Sequence, residues 1–268
     1  MNAPSSPASR PGGKIGVLYP ADGTDTEILH LDRWLPAHGI HGVSGRVKRP
    51  YSAAGHQPDS LLQMGGAASL GPLAKQLVRD GCGVVVWACT SASFIGGPEW
   101  ARDQALQMAA ATGRPFTSAT LAMIAAARAL KAGTVDVLGA YPEPVTAMFL
   151  ACLHDAGITV DATASLGAAD GAASFSLDIR SELARFASRH PRKDNLLLLP
   201  DTAIDTLTCL DELEAIAGRT MVMAAQACVW HSLHLLGVSP VAQHAGTLFR
   251  TRPVTASEGA ADSALAIS

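Results

Sequence analysis

The chain has 268 residues, 48% of them hydrophobic, enough for one large core or two small ones. A net charge of −3, 16% charged residues and 5% aromatics carry no nucleic-acid or membrane-surface footprint. No apolar run reaches the roughly 18 residues of a membrane span.

Residues 1–13, rich in Ser, Pro, Gly and Ala, read as a disordered tail without a signal core. Lys14–Tyr19 reads as a first strand ended by Pro20, then a polar loop holds Asp22 and Gly23. A helix is expected over Thr26–Ala37, a strand over His41–Val47 and a Gly/Pro-containing loop over Tyr51–Pro58, long enough to cover a site. Another helix spans Ser69–Arg79, and the apolar strand Cys82–Ala88 follows. A helix from Pro98 to Thr112, a short strand Phe116–Ala119 and an Ala-rich helix Thr120–Leu130 come next. The second part reads as strand Thr134–Ala140, helix Pro144–Ala156, strand Ile158–Ala164 and helix Phe175–His190. Strand Asn195–Pro200 leads to Asp201 and Thr202, and Asp205 is placed to cap a helix ending at Ala217. Strand Thr220–Ala224 and a helix Cys228–Leu236 close the fold, and residues 251–268 read as a loose tail.

Alternating strands and helices imply a parallel α/β sheet. A weak internal echo goes further. A strand ending at Pro20 matches one ending at Tyr141-Pro142, and the apolar strand before Cys89 matches the one before Asp201. We therefore expect two similar Rossmann-like halves, related by a pseudo-two-fold axis, with a cleft between them. The expected halves are residues 14–118 plus 229–250, and residues 119–228.

The stretch from Val84 to Gly97 anchors the functional reading, because a buried Val-rich run turns abruptly into Cys89, Thr90, Ser91 and Ser93. Polar residues at the carboxyl end of a parallel strand stand where open α/β sheets bind ligands. A helix start at Pro98 and Glu99 would offer N–H groups and a dipole that favour an anion and a thiolate. The five cysteines contain no CxxC pair, which points to free thiols in a reducing cytoplasm. The histidines lack metal-binding spacing, and neither GxGxxG after the first strand nor GxxxxGK[ST] occurs, so no metal and no nucleotide cofactor is expected.

Cys89-Thr90-Ser91-Ala92-Ser93-Phe94-Ile95-Gly96-Gly97 resembles the signature of the aspartate/glutamate racemase superfamily, in its maleate cis-trans isomerase and arylmalonate decarboxylase branch. Ile15–Gly23, Ala140-Tyr141, Leu210–Glu214 and Trp230 add weaker matches, and the likeness covers residues 14–250. The resemblance implies two Rossmann-like halves, no cofactor, and one thiol from each half flanking a bound carboxylate. In the isomerases the first-half thiol adds to an alkene. In the decarboxylases that position is glycine and the second-half thiol gives the proton. In this chain the first position is Cys89 and the second falls on Asp201, with Cys209 inside the predicted helix as a packing residue. Gly23 stands where the isomerases carry asparagine, which suggests a changed substrate head group.

The expected catalytic pair is thus Cys89 and Asp201, the thiol as nucleophile and the carboxyl as proton handler. Asp201 also fits a loop-ordering or capping role. Thr90, Ser91, Tyr141, Thr202, Asp22 and Gly23 are the candidates for holding substrate carboxylates. His231 and His234 read as helix-surface or core residues. The expected activity is cofactor-independent isomerisation of a small, maleate-like dicarboxylate. Decarboxylation of an arylmalonate or racemisation at an α-carbon, and non-catalytic carboxylate binding, are the alternatives. The partner is a small carboxylate, with no nucleic acid and no membrane, and a homo-oligomer stays open.

Overall fold

A computed structural model describes residues 13–50, 55–192 and 194–250. Both expected tails, apart from Gly13, and residues 51–54 of the expected covering loop lie outside the described residues. The first half of the chain runs β1 (Lys14–Leu18), α1 (Leu31–Ala37), β2 (Ser44–Lys48), α2 (Pro58–Gly65) and α3 (Ala67–Arg79). It continues with β3 (Val84–Trp87), α4 (Ser91–Phe94), α5 (Gly97–Thr112), β4 (Phe116–Ser118) and α6 (Ala119–Ala129). The second half runs β5 (Thr134–Gly139), α7 (Glu143–Asp155), β6 (Thr159–Ser165), α8 (Gly171–Phe175) and α9 (Ile179–Arg189). It ends with β7 (Leu196–Leu199), α10 (Leu210–Ala217), β8 (Met221–Met223) and α11 (Ala224–Leu235).

The strands form two parallel four-stranded sheets, in the orders β2-β1-β3-β4 and β6-β5-β7-β8. The order is the same in both, so the internal echo in the sequence reflects a duplicated topology. The register agrees, since Ile15 pairs with Val84 in one sheet and Val135 with Leu196 in the other. Central strands β3 and β7 are apolar at every position and wholly buried, as strands with helices on both faces must be. Edge strands β2 and β6 are partly exposed along their length. The other two edges, β4 and β8, are buried because α6 and α11 cover them. These two helices pack on each other, and α11 also touches β3 and β4 of the first sheet while α6 touches β8 of the second. Ala119, Ala122, Ala126 and Ala127 are fully buried along α6, and such small side chains let the helices approach closely.

Several element boundaries differ from the sequence reading. The expected helix at Thr26 opens as a 3₁₀ turn, Glu27–His30, before α1. A second 3₁₀ turn, Thr247–Arg250, follows α11. Helix α2, unforeseen, starts on Pro58, whose fixed φ suits a first helical turn. The helix expected over Phe175–His190 starts later, at Ile179, and a separate short helix, α8, precedes it. Asp170 caps α8 by accepting from Ala173 N at 2.8 Å, and Asp178 caps α9 by accepting from Ser181 N at 3.2 Å. Asp205 caps nothing, because its carboxylate accepts from Glu27 N across the two halves at 3.0 Å, and α10 starts later, at Leu210. Helix α11 begins at Ala224, before the expected Cys228, where Gln226 Oε1 accepts from Met223 N at 3.2 Å.

Candidate active site

Strand β3 ends in the core, and Ala88 N donates to Leu18 O at 2.9 Å, so the next residue emerges at the carboxyl end of the sheet. That residue is Cys89. The helix that meets it is not the one at Pro98, because α4 intervenes at Ser91 and its Ala92 N–H is directed at the sulfur. Ser91 Oγ lies 3.9 Å from Sγ. Burial, reinforced by the Asp201 charge, overrides these donors and pushes the thiol from its ordinary value near 9.0 up to about 12. The expectation of a stabilised thiolate is therefore corrected. Burial favours the protonated thiol here.

The turn carrying Cys89 is braced from three sides. Ser93 Oγ lies 2.8 Å from Thr90 O, to which it donates, and 2.7 Å from Thr120 Oγ1 on α6. Gln104 of α5 donates to Gly65 O at 2.8 Å and to Ala92 O at 3.3 Å. Gly65 ends α2 so close to α4 that a Cβ there would lie 2.4 Å from Ala92 O, which requires glycine. Phe94 reaches the second half, with its ring 5.6 Å from that of Tyr141 and 5.5 Å from that of Phe149.

Asp201 follows β7 as Cys89 follows β3. Its Oδ1 accepts from Ala203 N at 2.9 Å, while Oδ2 is buried with the Ser174 side chain beside it and no close hydrogen bond. Burial raises its pKa, opposed by the Ala203 N–H, the charge of His56 and neighbouring Ser174. The two strand tips meet, since Thr202 Oγ1 donates to Ala88 O at 2.9 Å, joining the residue after Asp201 to the residue before Cys89. Tyr19 OH reaches Thr202 O and Thr24 Oγ1 reaches Ala203 O, both at 3.5 Å. Trp34 Nε1 donates to Leu207 O at 3.0 Å and adds a further tie.

Buried polar groups usually find partners, so those left without one mark where a ligand would supply it. Four buried polar atoms here make no close hydrogen bond, and they face one another in two pairs: Thr90 Oγ1 with Tyr141 OH, and Asp201 Oδ2 with Ser174 Oγ. Tyr141 is fully buried, its hydroxyl faces that of Thr90, and burial raises its pKa, which keeps it a donor. Ser91 thus lies against the thiol, Thr90 follows it in the chain, and Tyr141 faces Thr90.

The structure assigns three other candidates differently. Thr202 has its hydroxyl taken up by Ala88 O and acts as a fastener between the halves. Asp22 is exposed on the loop after β1, where its charge reaches Cys89. At Gly23, a Cβ would lie 2.2 Å from the Tyr19 ring, so the packing of that tyrosine accounts for the glycine without a change of substrate head group. Cys209 sits at the N-cap of α10 against Asp205 O and Thr206 O. His231 Nδ1 lies 2.9 Å from Thr117 Oγ1, and burial pushes its pKa down to about 4, so it serves the core in neutral form.

The sequence reading misses His56, Ser174 and Tyr19. His56 lies in the loop singled out as long enough to cover a site, and its ring meets Tyr141 edge-on at 4.8 Å. Ser174 lies just before the helix expected from Phe175, in a stretch to which the sequence reading assigns no element. Tyr19 stands inside the opening motif but reads there only as part of a strand. Among the described residues, no group of three or more His, Cys, Asp or Glu side chains is placed to hold a metal ion, and no helix is long and apolar enough to cross a membrane.

Comparison with known proteins agrees with this architecture. Residues 66–249 match the family model described as arylmalonate decarboxylase. An arylmalonate decarboxylase of Bordetella bronchiseptica is 28% identical over 167 residues, covering 61% of this chain and 69% of that protein. Among solved structures, a maleate isomerase from Pseudomonas putida S16 with maleate superposes with a TM-score of 0.79 at 22% identity, over 89% of this chain and 98% of that one. A maleate cis-trans isomerase from Nocardia farcinica with a covalently bound succinylcysteine intermediate has the same TM-score and coverage at 20% identity. The two isomerase structures carry the fold, and the family model carries the kinship. With its duplicated parallel sheet, and a match to the family model over residues 66–249, the chain thus belongs to the arylmalonate decarboxylase family of enzymes.

Proposed function

We propose that this protein is a cofactor-independent isomerase of a small unsaturated dicarboxylate, with Cys89 as nucleophile and Asp201 as the group that handles the proton. The observation that supports the reading is the juxtaposition of the two strand tips, fastened by the Thr202–Ala88 hydrogen bond and bordered by the buried hydroxyls of Thr90, Tyr141 and Ser174. Thr90, Ser91 and Tyr141 would hold one carboxylate of the substrate in place. Sulfur adds to one alkene carbon while Asp201 takes the thiol proton and passes it to the other carbon, which has received the electron pair. The former double bond can then rotate. Asp201 removes the same type of proton, the electron pair rebuilds the alkene as the S–C bond breaks, and the proton returns to sulfur. No net proton and no oxidant is needed. A covalent succinylcysteine in the Nocardia farcinica isomerase is the kind of adduct this sequence of steps would form.

A second reading is decarboxylation of a disubstituted malonate, favoured by the match to the arylmalonate decarboxylase family model and by the Bordetella bronchiseptica relative. Loss of carbon dioxide would leave an electron pair on the α-carbon, to be quenched by a proton from the same cleft. The halves, residues 14–118 with 229–250 and residues 119–228, are proposed to close on the ligand together. Five free thiols, four of them buried, suit a reducing cytoplasm.

One assay separates these readings. The protein is incubated in heavy water with maleate, phenylmalonate or aspartate, and proton NMR follows the products. Fumarate from maleate, abolished in Cys89→Ala, is the expected result. A deuterated monoacid from phenylmalonate would instead select the decarboxylase, and thermal stabilisation by these acids without any product would mean carboxylate binding alone. Full activity in Cys89→Ala would remove the nucleophile assignment.

A further inference from the structure

We propose that Tyr19 is a substrate-contacting residue, the counterpart of Tyr141 in the other half, and that its hydroxyl, with Arg49 over its ring, takes the second carboxylate of a dicarboxylate ligand. The inference rests on the reading of Thr90, Ser91 and Tyr141 as the holders of the first carboxylate.

The duplicated topology gives the two tyrosines matching surroundings. Strands β1 and β5 hold the same place in the two sheet orders, each beside the strand whose tip enters the cleft. Tyr19 follows β1 directly, Tyr141 stands just beyond β5, and a proline comes after each. Both are buried, at 1% and 0% exposure. Each hydroxyl crosses to the other half and meets the threonine that follows a strand-tip residue there. Tyr141 OH faces the Thr90 hydroxyl, next to Cys89. Tyr19 OH lies 3.5 Å from Thr202 O, next to Asp201.

The Tyr19 hydroxyl has a hydrogen to give. Thr26 Oγ1 donates to it at 3.4 Å, so the phenol oxygen accepts from that side. Its own hydrogen is directed at Thr202 O, and 3.5 Å is well beyond the distance at which an O–H donor bonds strongly. A carboxylate oxygen at ordinary range is a better acceptor, because a charged acceptor shortens and strengthens the bond. Burial raises the Tyr19 pKa, so the phenol stays neutral and keeps that hydrogen.

The ring is held in place and carries a charge at its face. Arg49, the residue after β2, donates from Nη1 to Gly23 O at 3.1 Å and to Ala21 O at 3.3 Å. Its Cζ lies 5.6 Å from the centroid of the Tyr19 ring, within the range of a cation–π contact. The ring also packs on Gly23, where a Cβ would lie 2.2 Å from it. Guanidinium is permanently charged, so it offsets Asp22 on the same loop and favours an anion at that rim.

The test is titration calorimetry on the full chain with succinate, a saturated diacid with no alkene to attack, and with succinamate, its monoamide. The natural protein is expected to bind succinate at least about tenfold more tightly than succinamate. Tyr19→Phe keeps the ring against Gly23 and Arg49. It should weaken succinate about tenfold and change succinamate by less than about twofold. Tyr141→Phe should weaken both ligands, because each keeps the first carboxylate. Arg49→Gln should lower the preference for succinate in the same direction as Tyr19→Phe. An unchanged succinate affinity in Tyr19→Phe overturns the proposal, and so does an equal loss for both ligands, which would mark a packing role. If Tyr19→Phe does not fold, Arg49→Gln decides, and an unaltered preference for succinate there overturns the proposal. Weakened binding in Tyr141→Phe beside an unchanged Tyr19→Phe removes this proposal alone. If the natural protein binds neither ligand, the small-dicarboxylate reading fails and this one falls with it.

Discussion

The two halves of the molecule share a topology and differ at matching positions. Aligning the registers of β3 and β7 places Cys89 opposite Asp201 and Thr90 opposite Thr202. The first tip presents a thiol and a threonine whose hydroxyl faces that of Tyr141. The second presents a carboxyl and a threonine whose hydroxyl is bound to Ala88 O. Their bracing also differs. Cys89 leads into α4, while after Asp201 the chain stays irregular until α10 and uses Ala203 N–H to hold the carboxylate. Farther down the strands, β1 has Gly16, where a Cβ would lie 3.1 Å from Leu77, and β5 has Asp136 in a buried pair with Arg219. Duplication supplied one scaffold twice. Divergence left a thiol at one tip and a carboxyl at the other, and the second tip also fastens the halves through Thr202.

The largest effect should come from the state of the thiol. At pH 8 a thiol near 12 has a thiolate fraction about a thousandfold below that of a free cysteine. Alkylation of Cys89 by iodoacetamide, read by peptide mass spectrometry, should be slower by at least that factor. The sign for stability follows. The folded thiol binds its proton more tightly than the unfolded one, so its contribution is complete below about pH 9 and is lost as pH rises toward about 12. Rapid labelling at neutral pH would reverse the assignment of a resting thiol.

Next comes the carboxyl. Asp201→Asn cannot carry the proton and should lower kcat by about a hundredfold or more, measured by the same NMR assay. Retention of activity would mean that Asp201 merely orders its loop.

The smallest effects sharpen the comparison most, because they separate two threonines. Thr90→Val should reduce kcat/KM about tenfold with little change in melting temperature. Thr202→Val should instead cost about 1–2 kcal/mol of stability by calorimetry, since it leaves Ala88 O buried without its donor. Equal behaviour of the two variants would erase the distinction between holding substrate and holding the halves.

Much of this is legible in the chain itself. The apolar runs at β3 and β7 are unbroken, so strands buried on both faces can be read directly, along with the polar residues at their ends. The two-half arrangement follows from that repetition, and Cys89, Thr90, Ser91, Tyr141 and Asp201 follow from it and from the family signature. Contacts between residues far apart in sequence cannot be read that way. Asp205 has the right chemistry for a helix cap, yet Glu27 N–H claims it across the cleft. Gly23 looks like a lost polar contact until the Tyr19 ring is seen beside it. Thr202 and Thr90 are indistinguishable as residues, and only the approach of Ala88 O separates them.

Sequence alone determined the strand-end chemistry, because hydrophobic periodicity and residue type are local properties. The tertiary structure alone decided the protonation of the thiol, the division of labour between the threonines and the reach of His56 over Tyr141. Desolvation and hydrogen-bond pairing depend on neighbours brought together by folding, and the duplicated halves complete each other's sites only when they meet.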